Sequence, residues 1–209
     1  MPNSANFWGK RIRPMGIDPA LIRELAAKAK VLGLARDPEL SALTQQTLER
    51  ADQQERLLTP DELHRLGKES GVDPEPLQQL QNQAETLVDQ ARTQLLAAQP
   101  QLVEPGGALY PEPRAEACWR DCFHFLRVCC YAAAAGKPQF TDPQGMAALG
   151  ELYAALGVPV DGLLLALHNL QQLAIRAYAK QASSGEVRLL EQAFVELQNE
   201  IKGCVITSC

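Results

Sequence analysis

The stretch Arg114-Ala115-Glu116-Ala117-Cys118-Trp119-Arg120-Asp121-Cys122-Phe123-His124-Phe125-Leu126-Arg127 decides how the rest of the chain is read. It opens a run without Gly or Pro that continues to Ala135, and that run predicts a buried helix over 114–135. Within one turn it offers a thiol (Cys118), a guanidinium (Arg120) and a carboxylate (Asp121). A core helix has little use for an adjacent Arg-Asp pair unless something polar or charged is held there. Asp121 lies three residues after Cys118, so both can reach one ligand from the same helix face.

Working outward, helix starts are announced by Asp-Pro or Thr-Pro pairs, the first residue capping and the proline fitting the first turn. Asp18-Pro19 opens a helix over 21–32, and Asp37-Pro38 one over 40–53. Thr59-Pro60-Asp61-Glu62 forms a capping box for a short helix ending near Gly71. Asp73-Pro74 opens a long polar helix with Leu77, Leu80, Ala84, Leu87, Val88, Ala91 and Leu95 at helical spacing. The segment from Glu104 to Pro113 is too rich in Gly and Pro for helix. Beyond the central helix, further ones are expected from Asp142-Pro143 to Leu156, over 160–180 and over 186–202. No run alternates with period two, so the fold class is all-α, with seven or eight helices.

Composition bounds the function. The chain has 209 residues, 46% of them hydrophobic and 22% charged, with net charge −5. No apolar run approaches the roughly 20 residues needed to span a bilayer. Residues 1–36 carry seven basic side chains against Asp18 and Glu24, so the remainder is acidic. An acidic body argues against nucleic-acid binding, while a basic head suits an acidic protein surface. The Met1-Pro2-Asn3-Ser4 start lacks the apolar segment of a secretory signal, and four of the six cysteines share one helix. Both features predict reduced thiols in a cytosolic compartment. Residues 1–17, with Phe7, Trp8, Lys10, Arg11 and Arg13, have no period and read as an arm. The expected organisation is a basic extension (1–36), a helical domain (37–203) and a short tail (204–209).

The segment from Gln99 to Tyr110, with Pro105-Gly106-Gly107, followed by Ala117-Cys118-Trp119-Arg120-Asp121, resembles the phycobiliproteins, nearest the β-type subunits of phycocyanin and allophycocyanin. Ala51-Asp52, Leu126-Arg127, Tyr131 and the segment Leu152-Tyr153-Ala154-Ala155-Leu156-Gly157-Val158-Pro159 are similar to that family in the same order, so the likeness covers roughly residues 38–202. It implies a globin-like helical bundle with two N-terminal dimerisation helices, here 40–53 and 61–70. It implies one covalent linear tetrapyrrole (a phycocyanobilin-type bilin), joined through a thioether made by adding the Cys118 thiol to its A ring. Asp121 would accept from the inner pyrrole N–H groups, and Arg120 and Arg114 would pair with the propionates. Asp52, Arg127 and Tyr131 would belong to a subunit interface, with Asp52 and Arg127 each pairing with a partner chain; ordinary surface charge is the alternative for that pair.

The resemblance further implies a light-harvesting protein without catalytic or metal-binding residues. It would pass excitation to other phycobiliprotein subunits on the cytoplasmic side of a thylakoid, after attachment by a bilin lyase, and engage linker proteins through residues 1–36. Three departures bear on this. Ala108 stands where the β-type pattern has Asn, Pro113 replaces an Arg beside Arg114, and the loop 180–185 lacks a second attachment cysteine. A pigment-free paralogue that serves for structure, linking or regulatory docking is the alternative. Without the resemblance, Cys118, Cys122, Phe125, Cys129 and Ala132 form one small-residue core stripe. Cys118 and Cys122 lack further ligands for a metal, and His168 in an apolar helix reads as a core histidine.

Overall fold

The computed structural model describes residues 18–206 of the chain and the side chains of 18–204. The expected arm (1–17) and the last three residues of the tail lie outside the described residues. The described residues form nine α-helices: α1 (Pro19–Lys28), α2 (Ala42–Gln53), α3 (Pro60–Ser70), α4 (Pro74–Asn82), α5 (Ala84–Ala98), α6 (Glu112–Ala134), α7 (Pro143–Leu156), α8 (Val160–Tyr178) and α9 (Ser184–Ile206). Among the described residues there is no strand, only an isolated bridge between Leu32 and Thr141. The fold is all-α and globin-like.

Most expected caps are in place. Asp18, Thr59, Asp73 and Asp142 accept from the backbone N–H groups of Ala20, Glu62, Glu75 and Gly145. Asp37 behaves differently. Its carboxylate closes a local turn by accepting from Glu39 N at 2.9 Å. The helix begins only after Ser41, whose hydroxyl accepts from Thr44 N while Glu69 takes the Ser41 N–H. The long helix expected from Asp73 is two helices broken at Gln83, whose N–H turns to Leu80 O. Leu77, Leu80, Ala84, Leu87 and Val88 are buried on both sides of the break. The apolar period therefore runs through it, which is why period alone does not reveal it.

α6 is the central element, packed by α3, α4, α5, α8 and α9. From Phe125 to Ala134 every residue is buried. The second half of α6 is thus apolar contact on all sides rather than the single stripe the cysteine spacing suggests, as expected of a helix enclosed by others. Cys122, Cys129 and Cys130 are core residues there. Their thiols are inert, with burial holding Cys129 well above the ordinary thiol range and Cys130 at about 12.

Residues 18–36 pack against the body. Ile22 and Leu25 of α1 cluster with Leu152 and Leu156 of α7, and Ala155 and Val158 pack at the edge of this cluster. Leu32 and Leu34 join the main core. Backbone bonds from Gly33 N to Phe140 O (2.7 Å) and from Asp142 N to Val31 O (2.9 Å) tie the segment to the start of α7. A Cβ on Gly145 would collide with the Lys30 carbonyl, so this crossing is open only to glycine. Because Lys30 meets the first turn of α7 while Ile22 and Leu25 meet its last, α1 runs antiparallel to α7. Its start lies beside the α7–α8 turn.

Candidate functional site

Cys118 and Asp121 line one small cavity. Its other walls are Leu109 from the loop before α6, Arg114 from the first turn of α6, Val158 and Pro159 from the α7–α8 turn, and Leu163 of α8. The cavity measures about 20 Å³, room for roughly one water. Three features of the chain assemble it. The Gly-rich loop folds back tightly: Leu109 N bonds Leu102 O at 2.8 Å, and a Cβ on Gly107 would strike the Gln101 and Leu102 carbonyls. Pro111 then ends the loop, and α6 starts at Glu112, earlier than the Arg114 expected, with Pro113 in its first turn. On the far side, Gly157 at φ 62° ends α7 in the left-handed region and sends Val158 and Pro159 back over the cavity. Glycine takes that conformation at little cost.

Within the site, Asp121 accepts a hydrogen bond from Tyr153 Oη at 3.0 Å. Burial raises the Asp121 carboxyl to about 6, against the opposing pull of the Arg120 charge and the Tyr153 bond. Tyr153, buried beside that carboxylate, is pushed well above its ordinary value. The Cys122 thiol shares a hydrogen bond with Cys118, and this contact together with burial keeps it protonated. Arg120 is half-buried beside Asp121 and acts on it through its charge.

Arg114 is differently engaged from the propionate role implied by the resemblance. Its Nε donates to Ala108 O at 3.0 Å, and its Nη2 donates to both Leu156 O and Gly157 O at 3.0 Å. Asp52 and Arg127 meet within the one chain, Arg127 Nη2 lying 3.0 Å from Asp52 Oδ1. Neither needs a second chain to be neutralised, and Arg127 is only 5% exposed, so it is no ordinary surface charge. Tyr131 is fully buried, donates to Arg56 O and accepts from Arg127 Nη1 at 3.0 Å.

This polar seam continues to Glu62, which is buried and takes two bonds from Arg56, at 2.6 and 2.8 Å. Burial alone would raise the Glu62 carboxyl, but Arg56 and Thr59 outweigh it and hold it at about 2. His124 sits near Glu55 with its Nε2 3.9 Å from the carboxylate. Burial, helped by the Arg127 charge, lowers His124 to about 4, so the ring is neutral at physiological pH. His168 is exposed, not a core residue. The buried positions of α8 are 162, 163, 166, 167, 170, 171, 174 and 178, and 168 falls on the opposite face.

Sequence reasoning missed the partner of Asp121 and the cavity walls. Tyr153, Val158 and Pro159 stood inside a recognised segment without a role. Their only signal was the Gly157 turn, which predicts a reversal but not what the reversal faces.

A family model, "Phycobilisome protein", matches residues 46–201. The chain belongs to the phycobilisome protein family. A C-phycocyanin β subunit from Picosynechococcus is 31% identical over 147 residues, covering 68% of this chain and 86% of the relative. The C-phycocyanin β chain of Cyanophora paradoxa is 36% identical over 115 residues, covering 55% of this chain and 67% of the relative. For the C-phycocyanin β chain of Aglaothamnion neglectum the match, at 36% identity, spans only 56% of the relative's length. Among solved structures, a far-red fluorescent biliprotein derived from an allophycocyanin F subunit of Chroococcidiopsis thermalis superposes with a TM-score of 0.53. It is 23% identical, covers 68% of this chain and 98% of its own, and supports the globin-like fold. The family match begins at residue 46, within α2, so α1 and the segment up to Leu40 lie outside it. No helix among the described residues is long and apolar enough to cross a membrane.

Proposed function

We propose that this phycobilisome protein is a light-harvesting subunit carrying one linear tetrapyrrole in the cavity beside α6, joined to Cys118 by a thioether. The observation that carries the reading is that Cys118 and Asp121 line the same apolar-walled cavity. The chemistry of the lining fits the group. A thiol stands ready for attachment, a carboxylate is placed for N–H donors, and Leu109, Val158, Pro159 and Leu163 offer apolar contact to a flat conjugated ring system. The cavity is partly open and holds about 20 Å³, so a tetrapyrrole would lie largely outside it unless a wall moves outward.

When bound, the pigment would supply visible-light absorption and hand its excitation to neighbouring pigments. The chain's part is to hold it. Asp121, raised by burial to about 6 in spite of Arg120 and Tyr153, would gain from pyrrole N–H donors and become fully ionised. Tyr153 holds that carboxylate by a hydrogen bond, and Arg120, which acts on Asp121 through its charge, would turn to a propionate. The rest of the reading is carried by family membership. The chain would assemble with other phycobiliprotein subunits through α2 and α3, near the exposed Leu43, and receive its pigment from a bilin lyase. It would work at the cytoplasmic face of a thylakoid, engage linkers through residues 1–36, and perform no catalysis. The narrow cavity favours one other reading, a pigment-free paralogue used for docking.

Zinc-enhanced fluorescence of the denatured chain separates the two, after co-expression with bilin synthesis and a lyase, beside Cys118→Ala. A fluorescent band in the parent that is lost in the variant is the expected result. No band from protein taken from a pigment-making source would leave the docking reading standing.

A further inference from the structure

We infer that Arg114 is a positioning residue that latches the α7–α8 turn against the loop before α6, closing the cavity over Cys118, rather than a propionate ligand.

The argument begins with the end of α7. The last carbonyls of a helix have no intrahelical partner and carry the negative end of its dipole. Here the chain reverses at Gly157, and the N–H groups of Gly157 and Val158 turn back to Ala154 and Tyr153. The carbonyls of Leu156 and Gly157 are both taken by Arg114 Nη2 at 3.0 Å. Arg114 therefore caps α7 from another element. A cation is the right group for that position.

Its other edge holds the opposite wall. Nε donates to Ala108 O at 3.0 Å, in the loop that delivers Leu109 to the cavity. One rigid guanidinium thus bridges two walls, Leu109 on one side and Val158 with Pro159 on the other, while Cys118 lies one turn along the same helix. From outside, Ile22 and Leu25 of α1 press on Leu152 and Leu156, with Val158 at the edge of that cluster. The α7–α8 turn is held from both sides.

The same geometry counts against propionate binding. A guanidinium has five N–H hydrogens, and a carboxylate is best held by two parallel ones. The Nε hydrogen and those of Nη2 are spent on carbonyls, so only the two hydrogens of Nη1 remain, and these diverge and cannot make the parallel pair. Two-point capture of a carboxylate would require releasing at least one wall. Arg114 consequently sets how far the turn can open for a ligand and how exposed Cys118 is without one.

The inference rests on the proposed pigment site only for its purpose, and the experiment keeps the two apart. Pigment-free full-length chain is treated with iodoacetamide, and alkylation of each cysteine is followed by peptide mass spectrometry in the parent, Arg114→Gln and Arg114→Lys. Unlatching is expected to speed alkylation of Cys118 about tenfold in Arg114→Gln. A smaller gain is expected in Arg114→Lys, whose single ammonium cannot bridge both walls with the same fork. Cys129 and Cys130, both 0% exposed, should stay unlabelled and so report an intact core. If Arg114→Gln labels them, the comparison rests on Arg114→Lys. An unchanged Cys118 rate in the variant whose core is intact overturns the latch. In a second arm, lyase-free attachment is measured with a bilin bearing free propionates and with its dimethyl ester. A latch predicts the same change in both when Arg114 is replaced, whereas a loss confined to the free acid overturns it in favour of a propionate ligand. Failure of the parent chain to take either pigment would sink the pigment reading and leave the alkylation result to decide the latch.

Discussion

Replacing Asp121 with Asn should stabilise the pigment-free chain, and by an amount that depends on pH. The Asp121 carboxyl is raised by burial from 3.8 to about 6. Between those values the folded chain holds a proton that the unfolded chain has released. The folded state therefore binds more protons in that window, and stability falls as pH rises through it, levelling off above about 6. At neutral pH the ionised carboxylate costs about 3 kcal/mol, taking 1.36 kcal/mol per pKa unit. Asn keeps the shape, and its carbonyl can still accept from Tyr153 Oη, which now bonds Asp121 at 3.0 Å. The variant's stability relative to the parent should consequently improve by about 2 kcal/mol between pH 4.5 and pH 7.5. Urea unfolding of both proteins at the two pH values measures this directly. Other titrating groups, Glu62 and His124 among them, are common to both proteins and cancel in the difference. At pH 7.5 the melting temperature should rise by roughly 5–10 °C for a chain of this size. A gap between the two proteins that is the same at both pH values would refute the reasoning, as would an Asn variant that is less stable at pH 7.5.

Two further perturbations follow from the packing. Glu62→Gln breaks a buried ion pair with Arg56 and should cost about 3 kcal/mol at pH 7. Because the Glu62 carboxyl is held at about 2, below its usual 4.5, this stabilisation is complete above about pH 4.5 and fades as pH falls through 2. Urea unfolding should then show the parent–variant gap shrinking on acidification, and a gap that persists at pH 2 would contradict the assignment. Gly145→Ala pushes a methyl group into the Lys30 carbonyl and should pry residues 18–36 from α7 while leaving the body helical. Limited proteolysis should cut this segment at least severalfold faster, with little change in circular dichroism. Equal resistance would show that the crossing relaxes without releasing α1.

Much of this architecture is legible in the sequence because caps are local. Asp18, Thr59, Asp73 and Asp142 each act on a backbone group two or three residues away, so their spacing suffices to place a helix start. Asp37 has the same local pattern and misleads, because Glu69, 28 residues from Ser41, decides where α2 begins. The thiol, guanidinium and carboxylate of α6 are likewise visible, since i and i+3 on a helix are neighbours by geometry alone. What was not legible is everything that reaches them from elsewhere. Tyr153 lies 32 residues from the carboxylate it bonds, and Arg114 lies 42 residues from the first carbonyl it caps. The resemblance gave Arg114 a pigment-binding role, and in the structure Arg114 lines the cavity. Its present partners are backbone carbonyls, which carry no residue identity for a sequence pattern to register.

These findings combine into one physical account of the site. Burying Asp121 costs stability that a well-packed apolar residue would not, and a chain of this apolar content does not need a carboxylate there to fold. The cost makes sense where a ligand with N–H donors later offsets it, by the general rule that strained or under-compensated groups gather at functional sites. The cavity is closed in the meantime, because α7 ends against Arg114 and is backed by α1. This closure keeps Cys118, whose neighbour Cys122 already shares its hydrogen bond, only 7% exposed. Under the proposed function, a thiol reserved for one addition reaction would thereby be shielded from others. The helix that backs the α7–α8 turn, α1, lies outside the residues matched by the family. Its contribution should register as a change in Cys118 exposure before it registers as a change in overall stability.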